Sequence, residues 1–145
     1  MDLRRELTVP RPIDEVFAYL ADFTTTNEWD PGTVKTTRES GDGGVGTRYH
    51  NVSRFLGRTT ELVYETTEHE PPRQIRLRGE NSTVVAHDTM TLTPAGDSGT
   101  HIVYEARFDF KGLARLVAPL TAPAFNRLAD KGAEGMRAAL GGQAG

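Results

Sequence analysis

Cysteine is absent from the 145 residues, which removes disulfides, thiol nucleophiles and thiolate-ligated zinc and leaves no mark of an oxidising compartment. Positive charge is not in excess: 17 Lys and Arg face 20 Asp and Glu, a formal net charge of −3 with a pI near 5.8. The sequence-independent attraction that draws a protein to nucleic acid or an anionic membrane is therefore missing. No apolar run approaches a membrane span, and the arginines of "MDLRRELTVP" are not followed by the apolar stretch of a secretory signal. The four histidines, 50, 69, 87 and 101, never fall at H-x-x-x-H or H-x-H spacing, so no pair is set to share a metal. No G-x-S-x-G elbow presents a nucleophilic serine. These absences lead us to expect a soluble, cytoplasmic protein without metal or cofactor, with neither nucleic acid nor membrane insertion among its interactions.

What is present fits one domain over residues 1–145, a length that can bury a single sizeable core. "LRRELTV" ends in β-favouring residues and runs into "PRPIDEVFAYL", where Pro12 suits a first helical turn and Ile13, Val16, Phe17 and Leu20 repeat at helical spacing. "ADFTTTNEW" predicts a second short helix, stopped by Pro31-Gly32. From "TVKTTR" onward, strand-like segments rich in Thr, Val, Tyr and Ile are separated by "GDGG", "LG", "PP", "EN" and "AGDSG". Such short links mean antiparallel neighbours, because parallel strands need long crossovers. With the first strand the total is about seven. Leu113, Leu116, Val117, Leu120, Ala124, Leu128, Met136 and Leu140 then recur every three or four positions, predicting one long C-terminal helix with an apolar face. Pro119 and Pro123 should bend or restart it, and the final "GGQAG" should fray.

Alternation along the strands assigns side chains to sheet faces. Ile102, Tyr104, Ala106, Phe108 and Phe110 oppose His101, Glu105, Arg107 and Asp109, the cleanest alternation in the chain. One face of the sheet should therefore be wet and the other covered. Arg48, Arg54, Arg76, Arg78 and Arg107, and three of the histidines, mostly take the wet parity. A sheet of this width twists and curls, and one helix covers only part of the concave side. The fold class expected is thus α+β: a seven-stranded curved antiparallel sheet gripping one long C-terminal helix, with two short N-terminal helices closing one end. The space left inside would be a small-molecule cavity. Trp29, the sole tryptophan, sits among turn-formers in "NEWDPG", where its ring can roof or line one end of that cavity.

The order "RPIDEVFAYLADF", "NEWDPG", "GDGGVGTRY", "ELVYETTEHEPP", "DTMTLTP", "GTHIVYEARF" and a C-terminal helix resembles the polyketide cyclase/dehydrase and lipid-transport family of the START/Bet v 1-like (SRPBCC) superfamily. The likeness runs from Leu3 to Leu140 and implies the helix-grip fold with a hydrophobic ligand cavity. The family includes aromatase/cyclases and carriers, so fold kinship leaves the chemistry open. "GDGGVG" satisfies G-x-G-x-x-G, yet strand-like "TRYHNVS" follows it where a dinucleotide site needs a helix. A glycine-rich hairpin is the better reading.

Asp88 shares its parity with Val84, Ala86, Met90 and Leu92, so a strand without a bulge points this carboxyl into the cavity, where desolvation would raise its pKa. A local bulge would turn it outward instead. Tyr49, Tyr64 and Tyr104 have inward parity on three strands and offer rings to an apolar ligand and hydroxyls to its polar groups. The expected ligand site is Trp29, Tyr49, Tyr64, Asp88, Met90, Tyr104, Phe108, Leu120, Ala124 and Phe125, with Asp88, Tyr64 and Tyr104 as candidate catalytic groups. Three functions follow from these residues. The first is sequestration or transport of a hydrophobic small molecule. The second is a polyketide cyclase or dehydratase that holds its substrate and moves protons through Asp88 and a tyrosine. The third is an interaction module whose groove takes an apolar partner segment or a second copy as a homodimer.

Overall fold

The cleanest alternation becomes the strand that sets both faces of the sheet. In the computed structural model, which describes residues 1–141, this strand is β7, Gly99–Phe110. Ile102 and Ala106 are buried on it, whereas Glu105, Arg107 and Asp109 are exposed. It joins β1 (Asp2–Val9), β2 (Thr33–Ser40), β3 (Arg48–Phe55), β4 (Arg58–Glu70), β5 (Gln74–Glu80) and β6 (Val84–Ala95) in one seven-stranded sheet. The order is β1-β7-β6-β5-β4-β3-β2 and every pairing is antiparallel. Strands β2 to β7 form the meander that the short links dictate, and β1 closes on β7.

The outer face is wet and its charges pair across strands. Arg48 meets Glu65, Arg76 meets Glu68, His50 meets Glu61, His87 meets Asp109 and His101 meets Glu6. Exposed pairs of this kind each add little stability. His69 departs from the other histidines by packing edge-on against Phe17, with ring centroids 5.1 Å apart.

On the inner face, α1 (Ile13–Ala21) buries Val16, Phe17, Leu20 and Ala21 in one cluster with Ile75, Met90, Leu92 and Ile102. A 3-10 turn, Phe23–Thr25, and the single helical turn α2, Thr26–Trp29, follow. Asp22 caps this unit by accepting the Thr24 amide at 3.0 Å. Between β2 and β3, Gly41, Gly43 and Gly46 take positive φ. A β-carbon on Gly41 would stand 2.6 Å from Thr47, so the "GDGGVG" stretch is a hairpin that needs glycine, and a strand follows it.

The C-terminal segment restarts at the prolines. Helix α3, Ala114–Val117, passes through a 3-10 turn, Ala118–Thr121, that contains Pro119, and α4 then runs over Ala122–Gly141. The long helix is therefore α4, which begins only at Ala122, later than the apolar spacing predicts. In the apolar repeat from Leu113 to Leu120 the three leucines do not face the sheet, Leu116 being 75% and Leu120 81% exposed, and only Val117, itself exposed, borders the space beneath. Each change of helix type rotates the segment, so helical phase cannot be carried across Pro119. The buried stripe begins at Phe125 and continues through Ala129, Ala133, Met136 and Leu140. The fraying expected of "GGQAG" falls mainly on residues 142–145, outside those described.

Candidate functional site

Between the concave face of the sheet and the α3–α4 segment lies a cavity of about 510 Å³. Its wall is chiefly apolar. Phe125 on α4 stands 4.2 Å from the Phe55 ring, 4.8 Å from Phe108 and 5.9 Å from Phe110, measured between centroids. The four rings join helix to sheet beside the cavity, because Phe108 and Phe110 share the inward parity of β7 and Phe55 that of β3.

Trp29 supplies another part of the wall. It is 2% exposed, its ring N–H donates to the Thr25 hydroxyl at 3.2 Å, and its edge meets Tyr104 with centroids 5.9 Å apart. Its backbone is clamped as well: a β-carbon on Gly135 of α4 would lie 1.9 Å from the Trp29 carbonyl oxygen. A tryptophan among turn residues is thus held at a helical position that must be glycine, and its ring lines the cavity.

Polar groups enter this apolar space at few points. Strand β6 pairs with β5 and β7 without a register shift, with Asp88 opposite Leu77 on one side and Ala106 on the other. Asp88 therefore points inward, and no bulge turns its carboxyl away. Asp88 is 5% exposed, borders the cavity, and among the described residues receives no hydrogen bond. Desolvation, reinforced by the nearby Asp30 carboxylate, pushes its pKa up to about 7. Asp30 also reaches the cavity but is partnered, accepting from the Gly32 amide at 2.9 Å and the Thr33 hydroxyl at 3.0 Å. Burial raises its pKa too, against the pull of those two donors.

Tyr64 and Tyr104 border the same space, and neither hydroxyl has a hydrogen-bond partner among the described residues. Burial first, and then the charges of Asp88 and Asp30, hold both phenols firmly protonated. The Tyr64 ring lies over Gly79 of the neighbouring strand, where a β-carbon would come within 2.6 Å of the ring.

The structure brings Trp29, Tyr64, Asp88, Tyr104, Phe108 and Phe125 together around the cavity. The other expected ligand residues lie elsewhere. Tyr49 and Met90 are fully buried in the core cluster under α1 and the following turn, away from the cavity wall. The Tyr49 hydroxyl, near the Phe23 backbone amide, reaches no partner in hydrogen-bond geometry among the described residues, and burial raises its pKa. Leu120 points to solvent and Ala124 is outside the lining, for the reason given for the helix break. Sequence reasoning missed Phe55, Phe110 and Asp30. Parity could have found the two phenylalanines, whereas Asp30 sits in a turn that carries no periodic signal.

A second depression, of about 550 Å³, lies on the outer face and is lined by Arg4, Arg76, His87, Glu105 and Arg107 among others. Most of its charges are paired and its wall is as polar as it is apolar. It is a solvated shelf. Among the described residues no group of three or more His, Asp or Glu is placed to hold a metal, and no helix is long and apolar enough to cross a membrane.

A family model described as polyketide cyclase / dehydrase and lipid transport matches residues 1–141. Among solved structures, the Zhui aromatase/cyclase from Streptomyces sp. R1128 superposes with a TM-score of 0.83 at 14% identity, covering 97% of this chain and 93% of its own. A START superfamily protein from Mycobacterium smegmatis gives 0.71 at 14% identity, covering 97% and 94%. Ara h 8.0201 gives 0.68 at 20% identity, covering 98% and 95%. At these identities the likeness is one of fold. A search of curated proteins finds no match.

Proposed function

We propose that this chain, which belongs to the polyketide cyclase/dehydrase and lipid transport family of the START/Bet v 1-like superfamily, binds a hydrophobic small molecule between its sheet and C-terminal helix and sequesters or carries it. One observation carries the reading: a cavity of about 510 Å³ with a mainly apolar wall and a few convergent polar groups. That volume lies within the roughly 300–1,000 Å³ of small-molecule sites. Affinity would come from apolar burial at about 25 cal/mol per Å². The aromatic wall of Trp29, Phe55, Phe108 and Phe125 favours a molecule with rings, which can stack without losing rotamer freedom.

The test is native mass spectrometry of the protein from its own host, before and after organic extraction. A retained apolar molecule that extraction removes supports the reading. A bare protein that also takes up no apolar probe contradicts it.

A second reading is favoured by the Asp88 carboxyl, which titrates near the pH at which a general acid or base works best. Beside two protonated tyrosines, it could move a proton on a poly-β-keto substrate held in one geometry, as the notion of a cyclase or dehydratase requires. Asp88→Asn separates the two readings. It abolishes turnover if the carboxyl transfers protons, and only shifts affinity if the protein is a carrier.

A further inference from the structure

The charge inventory of the cavity is one-sided. Two carboxyls, Asp88 and Asp30, reach it. Among the described residues the one cationic side chain in its lining is Arg58, exposed at the hairpin between β3 and β4. Asp30 is satisfied by its own turn. Asp88 is not: its carboxyl is buried between Leu77 and Ala106, and it faces the cavity without a donor. Tyr64 and Tyr104 add two hydroxyl oxygens whose lone pairs are equally unclaimed. Unlike the Tyr49 hydroxyl, these atoms open onto the cavity, so whatever occupies it supplies their partner.

Three kinds of ligand could meet such a group. A carboxylate would bring a further negative charge into a low-dielectric space already holding two acids, with only the exposed, solvent-screened Arg58 as a cation in the lining. A ketone could accept from the tyrosines but has no proton to give Asp88; an alcohol could donate one hydrogen bond to the carboxylate but brings no charge to offset it. A protonated amine meets every requirement. It gives Asp88 a charge-assisted hydrogen bond, donates its remaining protons to the tyrosine oxygens, and is favoured by the field of Asp30.

Building on the reading that the cavity binds a small molecule, we infer that its ligand class is an apolar, ring-bearing primary or secondary amine, held by its ammonium at the Asp88 carboxylate with Tyr64 and Tyr104 as further acceptors. The same arrangement rejects anionic amphiphiles such as fatty acids.

The experiment is isothermal titration at about pH 8 with three molecules that share one ring, 2-(1-naphthyl)ethylamine, 2-(1-naphthyl)ethanol and 1-naphthylacetate. Uncharged N-phenyl-1-naphthylamine reports the cavity itself. In the wild-type protein the amine binds about tenfold or more tighter than the alcohol, as a hydrogen bond to a charged group requires, and the acetate binds weakest. In the isosteric Asp88→Asn the amine preference disappears while binding of N-phenyl-1-naphthylamine is kept. Lowering the pH from about 8 to about 5 weakens the amine and spares the alcohol, because Asp88 takes up a proton while the amine keeps its own. The titratable groups facing Asp88 are Asp30, Tyr64 and Tyr104; His87, next to it in sequence, faces the other side and pairs with Asp109.

An alcohol or acetate that equals the amine overturns the inference, as does a preference that survives Asp88→Asn. Uptake of N-phenyl-1-naphthylamine without amine preference sinks this inference alone, whereas failure of all four compounds sinks the binding reading with it. Should Asp88→Asn not fold, the pH series on the wild-type protein decides.

Discussion

The carbonyl oxygen of Trp29 occupies the place where a side chain on Gly135 would begin, 1.9 Å from the position of its β-carbon. This contact fixes α4 against α2, and with it the roof of the cavity against the wall that Trp29 supplies. Glycine inside a helix costs about 1 kcal/mol relative to alanine, so its presence here is explained by packing.

Gly135→Ala should therefore destabilise the protein by about 1–3 kcal/mol, the usual cost of overpacking, despite the gain in helix propensity. Urea unfolding measures it. Unchanged or increased stability would show that α4 does not bear on Trp29.

The pH dependence of stability follows from Asp88. Its folded-state pKa is raised from 3.8 to about 7, so between those values the unfolded chain has released a proton that the native state retains. Stability should fall as pH rises through this window, by at most about 1.4 kcal/mol per pH unit, and level off above it. Asp30, also raised, acts in the same direction. The exposed Glu6 and Glu80 are lowered by their Arg, His and Lys partners; the stability they add is lost only as pH drops below the ordinary carboxylate range. Asp88→Asn should flatten most of the slope and raise stability at neutral pH. A wild-type curve that is flat or rising across this interval would contradict the burial of an unpartnered carboxyl.

The leucines of the α3 region and the phenylalanine of α4 should respond in opposite ways. Leu116→Ser and Leu120→Ser remove exposed side chains and should change stability by no more than about 0.5 kcal/mol. Phe125→Ala removes a ring packed on Phe55, Phe108 and Phe110 and should cost about 3 kcal/mol, the low end for a phenylalanine because one side already borders the cavity. Thermal unfolding of the three variants decides. Comparable losses in all three would mean that the Leu113–Leu120 stretch packs inward after all.

Much of this was legible in the residues because a strand has only two faces. The alternation of Ile102 to Phe110 placed the core, and the parity of Asp88 with Val84, Ala86 and Met90 placed a carboxyl inside it. Parity gives the face but not the position along it: Tyr49 and Met90 point inward as expected, yet they lie under α1 and its following turn rather than at the cavity. Helical periodicity failed between Leu113 and Leu120, where the spacing is regular but the 3-10 turn at Pro119 breaks the phase. Asp30 and Gly135 carried no signal, since their roles arise from contacts between distant elements that no local pattern encodes.

The most direct measurement is the titration of N-phenyl-1-naphthylamine into the wild-type protein and into Ala106→Phe, whose new ring would fill the space beside Asp88. Trp29, the sole tryptophan in the cavity wall, reports occupancy by energy transfer to the bound probe. We predict one probe molecule per chain, with transfer from Trp29 in the wild-type protein and loss of both in a folded Ala106→Phe. Absence of uptake by the wild-type protein, or uptake that Ala106→Phe leaves intact, would contradict an internal ligand site.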